Sequence, residues 1–376
     1  MTKGRKGHAS ALTIAKLWAK AAGRCEYDGC NKLLYEDDLT SKDINGALVA
    51  HIIAASPDGP RGDAILSALL VDDIDNVMLM CNDHHRLIDH EGLADHPVDR
   101  LHEMKRKHEA RIRTITEINA AKKSVPIVYG ANVGKESVRI TEREFSMAML
   151  PDNYPADNPV ILSHKNSSQY DSTELFWASE AEQLDRKYYE CFRPLLARED
   201  IDCVSVFAFA PQPLLVKLGT KLTDLHKVKV YQKHREPDTW SWQPLEEPNP
   251  MRIIRPKDKS KTPVLIFSLS ATAISERVRM RYSNGASIWE LTAEKPNNDM
   301  LRSADQLVEF RKLARTVLDE INASTRERSI NVFMAMPVAC AVELGRVWMP
   351  KADKHLVLFD LNKSVGEFDI PTITIQ

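Results

Sequence analysis

The stretch CNDHHRLIDH, residues 81 to 90, sets two histidines side by side. Successive residues on a helix point about 100° apart, so His84 and His85 cannot both face one ion from the same side. Different roles are expected of them. Zinc takes about four soft or borderline ligands in a tetrahedron, usually as pairs on short loops. Cys25 and Cys30 have four residues between them, and Cys81 and His84 have two. Clustered cysteines in a large cytosolic chain bind metal more often than they form disulfides, so these four are read as a structural Zn²⁺ site. Cys191, Cys203 and Cys340 stand in apolar surroundings and read as buried thiols.

Three further residues, in the order His-Asn-His, carry a family resemblance that implies phosphodiester hydrolysis. They are His51 in LVAHIIAASPDGPRGD, Asn76 in DNVMLMC, and His85. An imidazole titrates near neutral pH and suits activation of water. A divalent cation, Mg²⁺ or similar, stabilises charge on the phosphate and on the leaving oxygen. Eight of the 12 histidines precede residue 110, so chemistry is sought first in the N-terminal third.

His51 before a Pro/Gly turn, Asn76-Val-x-x-x-Cys and Cys-x-x-His-His together resemble the HNH endonuclease family over residues 20 to 92. The resemblance implies a ββα-metal fold with the first histidine on a hairpin and the last on a helix. It implies His51 as general base, His85 as a ligand of the catalytic Mg²⁺, and Asn76 holding its loop or orienting the base. One departure stands out. Many HNH enzymes carry an aspartate directly before the first histidine, and here that position is Ala50. A replacement ligand is sought at Asp63, Asp73 or Asp75, or in water.

The elements that must position these residues follow from periodicity and punctuation. SALTIAKLWAKAA reads as a helix stopped by Gly23, and ALVAHIIAA as an apolar strand. IDNVMLMCNDHHRLIDH reads as a strand running into a helix, and LHEMKRKHEARIRTITEINAAKK as a charged helix. Lys105, Arg106, Lys107, Arg111 and Arg113 on that helix are candidate phosphate contacts, which contribute affinity rather than sequence readout.

Beyond residue 125 strand-like runs alternate with helical ones: PIVYGANVGKESVRIT (strand, loop, strand), PVILSHK, a helix over 173–197, CVSVFAFAP, a helix over 213–225, and KVKVYQ. After a charged, proline-containing segment come PVLIFSLSA, a helix over 304–323, INVFMAMP, a helix over 339–346, and HLVLFDLN. Such alternation implies parallel sheets in a Rossmann-like α/β architecture. VFAFAPQPLLVKLG (206–219) and VFMAMPVACAVELG (332–345) align without gaps, sharing Val-Phe, a proline after the strand, and Leu-Gly. PVILSHK and PVLIFSLS both open on Pro-Val and are expected to begin the two halves of a duplication. The expected organisation is α/β overall: residues 1–122 an HNH domain with its linker helix, 123–376 a duplicated module with halves of about 123–250 and 251–376.

The net charge of −2 gives no global attraction to nucleic acid. No apolar run is long enough to span a bilayer, and MTKGRKGHAS lacks the apolar stretch of a secretory signal, so a cytoplasmic location is expected. The second module carries neither a glycine fingerprint for dinucleotides nor a P-loop, and reads as a binder rather than a catalyst. An HNH domain followed by a duplicated α/β module resembles the HNH–SAVED effectors of bacterial CBASS anti-phage systems. SAVED domains resemble two fused CARF-type units. The resemblance implies a cyclic di- or trinucleotide activator made by a CD-NTase, ligand-induced homo-oligomerisation (dimer to tetramer), and promiscuous degradation of double-stranded DNA.

In open α/β sheets ligands lie beyond the carboxyl ends of the strands. Here those ends are Lys165, Asn166, Ser167, Ser168 and Gln169, then Pro211 and Gln212, Ser268 and Ser270, and Met336 and Pro337. Tyr231, Trp240 and Trp242 are candidates for stacking on bases. Two other readings compete. One is a restriction-type HNH enzyme whose C-terminal module recognises DNA, and the other a zinc-stabilised scaffold without catalysis. A division of labour between the paired histidines predicts that His84→Ala unfolds the N-terminal domain, whereas His85→Ala leaves it folded and inactive. Circular dichroism and bound zinc measured on both variants check this.

Overall fold

The structure, a computed structural model, describes residues 7–37, 39–118, 122–133, 140–150, 152–156, 158–163, 171–198, 201, 203–222, 227–245, 247–283, 285–361 and 371–376. The chain forms two compact units, Met1–Asn119 and Ala120–Gln376.

In the first unit, Ser10 caps helix α1 (Ala11–Lys20) through its hydroxyl, which accepts from the Thr13 N–H. The helix stops where Ala22 and Gly23 turn left-handed, at φ 51° and 65°. Strand β1 (Ala47–His51) pairs antiparallel with β2 (Val77–Cys81), from Ala47 opposite Cys81 to His51 opposite Val77. Between them lies a short helix, α2 (Leu66–Leu69). The apolar run predicted as a longer strand leaves the ladder at Ile52, whose N–H turns to the Asn76 carbonyl. Cys81 then starts α3 (Asn82–Arg86), which widens into a π-helical turn over Leu87–Glu91. The charged run forms α4 (Val98–Thr116). Its apolar stripe, Leu101 and Met104, closes a core with Leu17, Leu34, Met78, Met80 and Ile88.

The second unit holds two sheets. The first, entirely parallel, runs β4 (Tyr154–Pro155), β3 (Lys123–Gly130), β6 (Cys203–Phe209), β7 (Lys227–Val230), with β5 (Val160–Ile161) also on β3. Its helices are α5 (Glu142–Met149), α6 (Glu174–Lys187) running through a π turn into α7 (Arg193–Leu196), and α8 (Gln212–Lys221). The second sheet has the order β13 (Pro371–Ile375), β12 (His355–Phe359), β11 (Ser329–Ala335), β9 (Pro263–Ser268), β10 (Ser287–Ala293), β8 (Met251–Ile254). Its four inner strands are parallel and both edges antiparallel. Helices α9 (Ala273–Arg281), α10 (Ala304–Ser324) and α11 (Val338–Val347) cover it.

Three expectations change. The end of PIVYGANVGKESVRIT is a helix start, because Thr141 and Glu144 cap α5 reciprocally. Strands β8, β10 and β13 and helix α9 complete a sheet that the alternation left unfinished. Among its described residues, PVILSHK contributes the two residues of β5. The counterpart of β9, which lies beside β11, is β3, which lies beside β6.

The repeated segments are β6 leading into α8 and β11 leading into α11. Pro211 and Pro337 stand at the two helix entries with φ −54° and −55°, the value that the pyrrolidine ring imposes. The shared glycines explain the rest of the match. A Cβ on Gly219 would sit 2.0 Å from the Val342 carbonyl oxygen, and one on Gly345 would sit 2.0 Å from that of Val216. Val216 and Val342 are equivalent positions of the repeat, so the contact is reciprocal and relates the halves by a local two-fold axis. Glycine inside a helix costs roughly 0.5–1 kcal/mol relative to alanine. Here it is required, since no side chain fits between the two backbones. Gly219→Ala or Gly345→Ala is expected to destabilise this unit by roughly 3 kcal/mol, lowering its midpoint in thermal unfolding on the order of 10 °C.

Candidate functional site

The antiparallel pair β1–β2 brings distant cysteines together. Cys25 follows the turn after α1, and its Sγ accepts from the Cys81 N–H at 3.4 Å. Cys81 ends β2, and the first turn of α3 swings His84 back so that Nδ1 lies 3.1 Å from Cys81 Sγ and 3.8 Å from Cys25 Sγ. The ligand atoms of Cys25, Cys30, Cys81 and His84 all lie within 4.8 Å of one another. Four donors around one ion at metal–ligand distances of about 2.0–2.3 Å have this spacing. Burial pushes the Cys25 thiol up and His84 down. The neutral imidazole is the ligating form, and a bound cation is what favours the thiolate. Tyr27 stacks on His84 with ring centres 4.1 Å apart, and its hydroxyl lies 3.0 Å from His96 Nε2. His96 Nδ1 lies 2.7 Å from the Gly92 carbonyl, so Nδ1 donates there and Nε2 accepts from Tyr27. Spacing alone did not point to Tyr27 or His96, since their part is to hold the His84 ring.

His51 closes β1, half-buried, with Nε2 3.0 Å from the Val71 carbonyl. A carbonyl only accepts, so Nε2 carries the proton and Nδ1 keeps its lone pair. Asn76 is buried. Its amide nitrogen donates to the carbonyls of Ile53 and Leu70, and its oxygen accepts from the Ile53 N–H at 2.9 Å. It therefore pins the chain as it leaves His51. His85 projects away from the cysteines, as the helical geometry requires, and its Nε2 lies 3.8 Å from Asp89 Oδ2. The acids named as replacements for a carboxylate at Ala50 are engaged elsewhere. Asp63 caps the N–H groups of Ile65 and Leu66, Asp73 that of Asp75, and Asp75 lies 3.8 Å from Lys20. Ala50 itself packs into the core.

The residue that joins these parts is Arg61, held at φ 56° in the turn between Pro60 and Gly62. Its guanidinium donates to the Ile52 and Ile88 carbonyls at 2.7 Å each and to Asp89 Oδ1 at 2.6 Å. Nη2 also reaches the His51 carbonyl at 3.5 Å. One side chain thus ties the end of β1 to the turn after α3. On α4, Lys105 is buried against Glu109, Lys107 pairs with Asp28 and Arg111 with Asn31, so these three cations are internally engaged.

In the second unit, the carboxyl ends of β6 and β11 open into a cavity of about 770 Å³. Pro211, Gln212, Ser270, Met336 and Pro337 all border it, which brings together five of the residues chosen from strand ends. Gln212 spans the two halves, its amide donating to the Met336 carbonyl at 3.0 Å. Gln232 Oε1 accepts from the Ala339 N–H at 3.1 Å, bridging them a second time. His234 also borders the cavity. Burial lowers it to about 4, and among the described residues neither of its ring nitrogens has a hydrogen-bond partner.

A family model described as "SMODS-associated and fused to various effectors sensor domain", SAVED, matches residues 184–375. This chain belongs to the SAVED family. Among solved structures, the SAVED/CARF-domain-containing receptor Cap4 of Acinetobacter baumannii with the cyclic trinucleotide 2′3′3′-cAAA is 11% identical. The match covers 84% of this chain and 71% of that one, at a TM-score of 0.42. The same receptor with 3′3′3′-cAAA is 12% identical over the same shares, with a TM-score of 0.40. The Moraxella osloensis Cap4 receptor is 10% identical, over 73% of this chain and 54% of that one, with a TM-score of 0.36. No curated protein matches the chain.

The SAVED match begins within α6 and takes in both strand–helix joints, hence both sides of the cavity. The remaining candidates sit differently. Ser268 is buried, with its hydroxyl donating to Glu290 at 2.6 Å. Tyr231 and Trp240 are buried against Phe207, at ring-centre distances of 4.5 and 5.5 Å, so their faces serve the core. Trp242 lies beside Tyr231 and borders a separate cavity of about 390 Å³. Lys165, Asn166, Ser167, Ser168 and Gln169 lie outside the described residues. Gln232 and His234 were missed because polar residues after a short strand look like any loop. Trp240→Ala is expected to cost about 3–5 kcal/mol of stability in the absence of any ligand, which a urea unfolding curve measures.

Proposed function

We propose that this chain is a cyclic-nucleotide-gated, metal-dependent endonuclease that degrades double-stranded DNA in anti-phage defence. The observation that carries the reading is one chain joining a SAVED sensor to a unit in which a Cys3His cluster, His51 and His85 are all positioned by one ββα arrangement. The cluster suits Zn²⁺ in a structural role, because all four positions are filled by protein and none is left for substrate.

Hydrolysis needs an attacking water, a base and a counter-charge. His51 fits the base: the Val71 carbonyl fixes its proton on Nε2 and leaves Nδ1 free to take one from water. Asn76 holds the backbone beyond His51 and so the direction of the ring. Mg²⁺ held at His85 would supply charge stabilisation for the phosphate and the leaving oxygen. With no net positive charge on the chain, affinity for DNA falls to local contacts.

The gate is assigned to the cavity at the ends of β6 and β11. Helices α8 and α11 both begin at its edge, and a helix N-terminus favours negative charge, as on a phosphate. Two related helix starts suit a ligand that repeats its own phosphates, as cyclic di- and trinucleotides made by a CD-NTase do. The A. baumannii receptor carries a cyclic trinucleotide. Ligand favouring one assembly of the chain, a homo-oligomer in which nuclease units meet, would act by population shift.

The test incubates purified protein with plasmid DNA, Mg²⁺ and a panel of cyclic di- and trinucleotides. Cleavage is expected only with a cognate nucleotide, and none from folded His51→Ala. Cleavage without any nucleotide would instead favour a restriction-type enzyme, and activity retained by His51→Ala would remove the assigned base.

A further inference from the structure

We infer that Asp89, held by Arg61, is the second protein ligand of a divalent cation bound at His85, in place of the carboxylate that position 50 lacks. The inference rests on the nuclease reading and assigns a ligand that the reading leaves open. Three observations carry it. His85 and Asp89 stand one helical turn apart, and their facing atoms, Nε2 and Oδ2, lie 3.8 Å from each other. That is too long for a hydrogen bond. It falls between the separations of about 3 and 4.2 Å that two ligands of one ion span when each is about 2.1 Å from the metal.

Second, both groups keep a path to solvent, with side chains 29% and 16% exposed, whereas Arg61 is 7% exposed. The buried guanidinium takes Oδ1 of Asp89 at 2.6 Å and leaves Oδ2 for His85. Its other nitrogens are spent on the Ile52 and Ile88 carbonyls, so Arg61 cannot swing away to neutralise the second oxygen. Third, Asp89 lies in the π turn that follows α3, closed by the Gly92 N–H to the Leu87 carbonyl at 2.8 Å. Such turns re-aim side chains and recur at functional sites. Because Arg61 also reaches the His51 carbonyl, the same side chain that fixes the ligand fixes the strand carrying the base. Arg61 is thus a positioning residue.

The experiment uses the full-length, zinc-loaded protein and Mn²⁺ alone, whose binding is read by electron paramagnetic resonance without turnover. Outer-shell carboxylates already shift metal affinity roughly 10–100-fold, so a ligand should do no less. Wild type is expected to bind Mn²⁺, and His85→Ala and Asp89→Asn each to weaken binding tenfold or more with zinc content unchanged. Asparagine keeps an oxygen for Arg61, which protects the fold. If Asp89→Asn loses zinc or structure, Asp89→Glu replaces it, and an altered Mn²⁺ affinity or spectrum again supports the assignment. Unchanged Mn²⁺ binding in the folded Asp89 variant, with loss in His85→Ala, overturns Asp89 as a ligand and leaves the nuclease reading intact. No Mn²⁺ binding by wild type, or unchanged binding in His85→Ala, overturns both.

Discussion

Two backbones meet at Gly219 and Gly345 with no room for a methyl group on either. Almost everything about the larger unit depends on that approach. It presses α8 onto α11, so the strands that feed them, β6 and β11, discharge toward the same place. It makes the halves related by a two-fold axis rather than merely similar. It also puts Gln212 within reach of Met336, and Gln232 within reach of Ala339, so each half closes part of the other's cavity. Larger residues at the crossing would separate the helices and pull the cavity apart before touching any residue that lines it.

The smaller unit solves a different problem. Its apolar cluster is modest and its sheet has only two strands, which are marginal alone. Cross-links by polar groups do much of the holding: the cluster of Cys25, Cys30, Cys81 and His84 at one end of the β1–β2 pair, and Arg61 and Asn76 at the other. Every one of them bonds residues far away in sequence, and every one lies beside His51 or His85 or on the chain leading to it. The features that stabilise this unit are therefore the same ones that fix the positions of His51 and His85.

What could be read from the sequence follows from this. The convergence of Cys25, Cys30, Cys81 and His84 was legible because short spacings are local: Cys81 and His84 share a turn, and neighbouring histidines on a helix diverge. The repeat was legible because one geometric constraint acts twice, leaving Pro and Leu-Gly in register. The grip of Arg61 on Asp89 was not, since nothing in the spacing of residues 61 and 89 predicts an ion pair. The aromatics misled for a related reason. Tyr231 and Trp240 sit among charged residues and look exposed, yet the bridge between His234 and Thr239 folds them back onto Phe207. Thr141 lay in a run of β-branched residues, and the reciprocal bond with Glu144 outweighed that propensity.

The glycine crossing also sets an order of events during synthesis. Gly219 has no partner to pack on until Gly345 has left the ribosome, close to the end of the described chain. The first sheet of the larger unit must wait with its α8 face uncovered, while the smaller unit, complete by Asn119, needs nothing downstream for its own internal contacts. At about 5–20 residues per second, the interval is on the order of tens of seconds. For that interval the first unit exists with every one of its internal contacts available while the two halves of the second still lack the crossing that joins them.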